Sequence, residues 1–154
     1  CPEIKQGAQP GRLPRHEVSP VAAGAGEEFE GATVTNQEEL IDAITLEIAE
    51  TLEDAARLLE PSDRWTQGAY ARYASGCAAA IMSSNAVAFC AEGAILQCTG
   101  GTSKGWQVHN VFNAFIKRTL DPGGIAEYND ACGRTKTDVV RALYQCAAEL
   151  RGTI

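Results

Sequence analysis

Apolar residues recur at three- and four-residue intervals through most of residues 38–151, and that period restricts the chain to a fold built from helices. Ile41, Ile44, Ile48, Leu52, Ala55 and Leu59 follow Thr35-Asn36-Gln37-Glu38, which has the form of a capping box, and Glu60-Pro61 predicts the stop. A second apolar helix is expected over residues 84–98, with Val87, Cys90, Ala91, Ala94 and Ile95 on one stripe and Gly100-Gly101 behind it. A third, over residues 108–120, puts Val108, Val111, Phe112, Phe115 and Ile116 on one face and ends at Asp121-Pro122-Gly123-Gly124. After one more turn over residues 125–131, Thr135 caps a last helix striped by Val139, Leu143, Cys146, Ala147 and Leu150, with Asp138 and Arg151 placed to suit its dipole. Strand alternation is absent, and residues 78–82 are the one short extended candidate. The expected fold is mainly α: a compact small domain of about four helices over residues 35–154, with Val87, Ile95, Val111, Phe112, Phe115, Val139 and Leu143 in its core.

Residues 1–34 break the pattern. Pro2, Pro10, Pro14 and Pro20 alternate with Gly7, Gly11, Gly24, Gly26 and Gly31, and neither a period of 2 nor one of 3.6 is present, so the segment reads as an irregular arm or tether. Its composition cannot nucleate a core, and its backbone groups need partners outside local secondary structure. Docking would supply them, on the domain itself or on a partner subunit, with Ile4, Leu13, Val18, Val21 and Phe29 as anchors.

A chain of 154 residues suits one domain, and 45% apolar with 21% charged residues is globular composition, so folding without a cofactor is expected. The longest apolar stretch, residues 86–98, falls short of the roughly 20 residues a membrane helix needs. The net charge of −7 is uneven: 6 basic and 15 acidic residues precede position 100, and 7 basic and 5 acidic follow. An acidic front half disfavours nucleic-acid binding, which rests on Lys and Arg at phosphates. It suits either a solvated helix face or a surface that meets a basic partner. The six cysteines form no CxxC pair and no zinc-ligand spacing, so no metal is expected, and most sit among small apolar neighbours as free thiols do. A cytoplasmic or virion location is the leading expectation, with an exported lipoprotein anchored at Cys1 as the alternative.

Phosphate-loop, nucleophile-elbow, zincin and dinucleotide motifs are absent, and Gly100-Gly101-Thr102-Ser103-Lys104-Gly105 lacks the residue order of a phosphate loop. The most enzyme-like set is Cys90, His109 and Asn129, in the chain order of papain-type thiol hydrolases. Against it, the expected helix puts Cys90 mid-helix among apolar residues, where nothing lowers a thiol pKa, and His109 at a helix start facing solvent.

Three blocks, Trp65-Thr66-Gln67-Gly68-Ala69-Tyr70-Ala71-Arg72, Cys90-Ala91-Glu92-Gly93-Ala94-Ile95 and Ile125-Ala126-Glu127-Tyr128-Asn129-Asp130, are followed by Gly133-Arg134-Thr135 and Val139-Val140. Together they resemble a family of small bacterial and phage proteins, domain of unknown function 6197, over about residues 38–150. The resemblance implies a compact helical domain and brings no activity with it. Tyr128 stands where the family pattern has Trp, and the arm lies outside the likeness. As scaffold, Gly93 would admit a neighbouring helix, Asn129 and Asp130 would close a turn, and Arg72 would pair with Asp130. As a site, Trp65, Gln67, Arg72, Asn129 and Asp130 would converge on a polar pocket. The function expected is non-catalytic binding or assembly, with the arm docked on a partner subunit; a small thiol hydrolase using Cys90 is the alternative.

Overall fold

The computed structural model describes residues 32–153. Five helices, α1 (Ala32–Leu59), α2 (Ala91–Cys98), α3 (Ser103–Thr119), α4 (Ile125–Asp130) and α5 (Lys136–Arg151), enclose the core. A small antiparallel sheet of β1 (Ala71–Tyr73), β2 (Ala78–Ala79) and β3 (Ala86–Phe89), in the order β2-β1-β3, sits between α1 and α2 in sequence. The fold is mainly α, as the periodicity requires, but the sheet was not expected. The arm with its anchors Ile4, Leu13, Val18, Val21 and Phe29, and Cys1 with its lipid alternative, lie outside the described residues.

Residues 84–98 depart from the expected helix. They do not form one helix: Ala86-Val87-Ala88-Phe89 pairs with β1, Cys90 is extended at φ −76° and ψ 176°, and α2 starts only at Ala91. A short run of small apolar residues fits a strand or a helix equally by composition, and here pairing decides. Residues 64–66 lie along the other edge of β3, where Arg64 O accepts from Phe89 N at 2.7 Å and Phe89 O from Thr66 N at 3.0 Å. Gly76, at φ +84°, closes the β1–β2 hairpin by donating to Tyr73 O.

Elsewhere the differences are at helix ends. α1 begins at Ala32, ahead of the expected cap, and α3 begins at Ser103, so Gly100 and Gly101 (φ +64° and +69°) make a tight turn rather than a long connection. α5 begins as its sequence prescribes. Thr135 Oγ1 accepts from Asp138 N, and Asp138 Oδ2 accepts from Thr135 N at 3.0 Å. Thr135 Oγ1 also donates to Asp138 Oδ2 at 2.8 Å, and this bond together with the one from Thr135 N holds the Asp138 carboxyl below its ordinary pKa.

The core joins α1 to α5 and fills against α2 and α3. Leu52, Leu59, Ile95, Val108, Phe112, Ile116, Val139 and Leu143 are wholly buried, with Phe112 stacked on Phe115. Ile95, Phe112, Phe115, Val139 and Leu143 are buried as expected, whereas Val87 and Val111 are only half-buried. The long helices run in opposite directions: Lys136 at the start of α5 reaches Glu60 O, and Arg151 at its end reaches Glu53 at 2.9 Å. α4 is fastened to α5 by Tyr128, whose hydroxyl donates to Asp138 O at 3.2 Å, while Arg134 lies 3.8 Å over its ring and donates to its carbonyl. Among the described residues no helix is long and apolar enough to cross a membrane.

Candidate functional site

The break between β3 and α2 shapes the site. Because α2 starts at Ala91, its first N–H groups have no partner within the helix and point at whatever faces that end. Asn129 on α4 answers one of them: its Oδ1 accepts from Ala91 N at 3.1 Å and from Trp65 Nε1 at 2.9 Å. Its Nδ2 donates to Thr66 O at 3.1 Å and to Asp130 Oδ1 at 2.7 Å. All four hydrogen-bonding positions of this buried amide are therefore filled. Gln67 adds a second tie to α4, donating from Nε2 to Asn129 O at 2.8 Å and Ala131 O at 3.2 Å. Asp130 Oδ1 accepts from Gly68 N at 3.0 Å.

Trp65, Gln67, Asn129 and Asp130 are thus brought together. Arg72 meets this group only at the Gln67 carbonyl, and its expected pairing with Asp130 does not form. Its guanidinium donates to Thr66 Oγ1 at 2.8 Å, Gln67 O at 2.9 Å and Gly76 O at 2.9 Å, so from β1 it ties the 65–70 loop to the β1–β2 turn. Gly93 is likewise reassigned. A Cβ there would stand 2.0 Å from Tyr70 O, so the close neighbour is the backbone of the 65–70 loop and not another helix.

These contacts leave a cleft of about 280 Å³ lined by Gly68, Ala69, Tyr70, Cys90, Glu92, Ile125, Ala126, Asn129 and Asp130. Every lining residue belongs to one of the three blocks noted in the sequence, although these blocks lie far apart in the chain. The cleft carries two carboxylates, Glu92 and Asp130, and no Lys or Arg. Gly68, Ala69 and Tyr70 also border a larger, mainly apolar groove of about 580 Å³ with Ala78, Ala79, Ala80, Ile81, Leu96 and Trp106. Tyr70, which borders both cleft and groove, and Trp106, which lines the groove, are each about half exposed, at 50% and 51%. The Glu92 charge, partial burial and Cys90 together hold the Tyr70 phenol above its ordinary pKa.

Cys90 does not sit mid-helix; it is the N-cap of α2, where its Sγ accepts from Gly93 N at 3.3 Å. A helix N-terminus by itself would favour a thiolate. Burial outweighs it, and with Glu92 and Asp130 adding like charge the thiol is pushed up to about 11. His109 is also not a solvent-facing residue. Its Nε2 meets Glu92 Oε1 at 2.5 Å, its Nδ1 meets Asn110 Oδ1 at 3.3 Å, and the ring edge contacts Trp106. No hydrogen bond joins Cys90, His109 and Asn129 to one another. Among the described residues, all five cysteines are free thiols and no group of three or more His, Cys, Asp or Glu side chains is gathered to hold a metal.

Sequence reasoning missed Glu92, Tyr70 and Trp106 as site residues. Glu92 was hidden by the assumption of a continuous helix, which made it one more solvated charge. Tyr70 lies inside the first block without standing out there, and Trp106 belongs to no block and no stripe. Neither a curated protein nor a solved structure matches the chain. A family match does cover residues 43–149, taking in all three blocks and every residue that lines the cleft, and the chain belongs to the family of unknown function DUF6197.

Proposed function

We propose that this protein acts by non-catalytic binding, its site being the acidic cleft with the apolar groove beside it. The observation that carries the reading is the pairing of Glu92 and Asp130 in a side-chain-sized cleft with an apolar groove reached across Tyr70. That combination suits a ligand with a cationic head and an apolar or aromatic body, since carboxylates and exposed aromatic faces both attract cations. On a partner protein the same chemistry is a Lys or Arg side chain next to an apolar residue. The acidic balance of the chain favours such a basic partner over nucleic acid.

Tryptophan fluorescence tests this, because Trp106 borders the groove. Titration with phenethylamine is expected to shift the emission saturably, and phenethyl alcohol, its uncharged counterpart, is expected to bind at least about tenfold more weakly. Glu92→Gln should remove that preference. Equal response to amine and alcohol, or none to either, would refute the reading.

The thiol hydrolase is favoured by one observation, the position of Cys90 at a helix N-cap. Its reactivity separates the two readings. Iodoacetamide labelling of Cys90, followed by peptide mass spectrometry on the folded chain, should keep rising with pH through the ordinary thiol range near about 8.5 without levelling. A rate that levels off well below that pH would mean an activated thiolate and would restore the enzyme.

A further inference from the structure

The amino-terminal part of α1 carries an apolar face that no other described element covers. All of residues 36–44 are exposed, with Leu40 at 59%, Ile41 at 56% and Ile44 at 44%. Ile41 and Ile44 lie on the helix face that continues into Ile48, Leu52, Ala55 and Leu59, and the last three are wholly buried. The core-facing stripe thus runs on past the end of the domain. Around it stand Glu38, Glu39, Asp42, Glu47 and Glu50, and no Lys or Arg occurs between positions 36 and 56.

An apolar stripe framed mainly by carboxylates, with Lys104 of α3 paired to Glu47 at 2.5 Å as the cation beside it, selects its occupant. The same helix from a second copy would set like charges side by side, which is unfavourable. A segment with apolar and basic residues fits, and the chain contains one. Residues 4–16 hold Lys5, Arg12 and Arg15 with no Asp or Glu, together with the apolar Ile4 and Leu13.

We propose that residues 4–16 dock in cis on this face of α1, Ile4 and Leu13 covering the isoleucines and the three basic side chains meeting the carboxylates. Reach is not limiting. The intervening residues 17–31 can span up to about 50 Å, and the face from residue 36 to residue 48 is about 18 Å long. A tether of that length also keeps the segment at roughly millimolar effective concentration, which an untethered partner must match.

Hydrogen exchange read by mass spectrometry on the full chain tests the proposal. Amides of residues 36–47 should exchange about tenfold faster in K5E/R12E/R15E than in the parent chain, while those of α5 stay unchanged. Adding E38K/E39K/D42K to that variant should restore the protection. The protection should also be the same at low and high protein concentration. Equal exchange in parent and variant, or no restoration by the charge swap, overturns the proposal. Protection that appears only at high concentration, with a dimer on sizing, also overturns it by placing the segment on a second copy.

Discussion

Asn129 holds three parts of the chain together through one side chain. Its amide bonds the α2 N-terminus at Ala91, the loop at Trp65 and Thr66, and its neighbour Asp130. Removing the amide would leave a buried N–H and two further polar groups without partners, and each such group costs about 1–3 kcal/mol. Asn129→Ala is therefore expected to lower unfolding free energy by about 2–4 kcal/mol in a urea titration. Asn129→Asp should be destabilising as well, because it keeps the acceptor but loses the donor to Thr66 O and places a second carboxylate against Asp130. A loss under about 0.5 kcal/mol for the alanine variant, the range of an ordinary surface change, would mean the network is not what holds the loop. At this scale the sequence was partly legible. Trp65, Gln67, Asn129 and Asp130 do converge, since polar residues beside a helix end need partners. Arg72 meets them only at the Gln67 carbonyl, because its guanidinium is taken up by Thr66, Gln67 and Gly76, and partners of this kind leave no periodic trace in the sequence.

At the scale of elements, stripes were the dependable signal, and of the two expected caps the one at α5 held while α1 begins ahead of Thr35. Thr135 with Asp138 starts α5, and Val108, Phe112, Phe115 and Ile116 face inward on α3 as their spacing requires. Residues 84–98 were misread because small apolar residues carry no period of their own, and the turn at Cys90 is fixed by contacts from β1, α4 and the 65–70 loop. The same junction explains Gly93. Its position in the first turn of α2 lets the Tyr70 carbonyl approach to where a Cβ would be only 2.0 Å away. The obstacle is backbone, which cannot swing aside as a side-chain tip does. Gly93→Ala is expected to cost about 1–3 kcal/mol, the usual range for overpacking, and to displace Tyr70 from the wall of the cleft. Thermal denaturation together with the phenethylamine titration checks both parts. A variant with parental stability and parental binding would show that the loop is not seated on α2 in this way.

For the whole molecule, the main finding is that three sequence blocks separated by helices and a sheet meet around one cleft. The helical class was legible because it depends on local periodicity. The cleft was not, because it depends on how distant segments stack, and the acidic residue that gives it character, Glu92, looks in sequence like any exposed charge. The central claim is that this cleft is where the protein binds a cationic, partly apolar group. Chemical-shift mapping of the ¹⁵N-labelled full chain during a phenethylamine titration tests that claim most directly. The account predicts saturable shifts at Gly68, Ala69, Tyr70, Glu92, Ala126 and Asp130, extending to Trp106 in the groove, with α5 and the exposed part of α1 unmoved. Shifts confined to other surfaces, or none at concentrations where such amines bind acidic clefts, would contradict it.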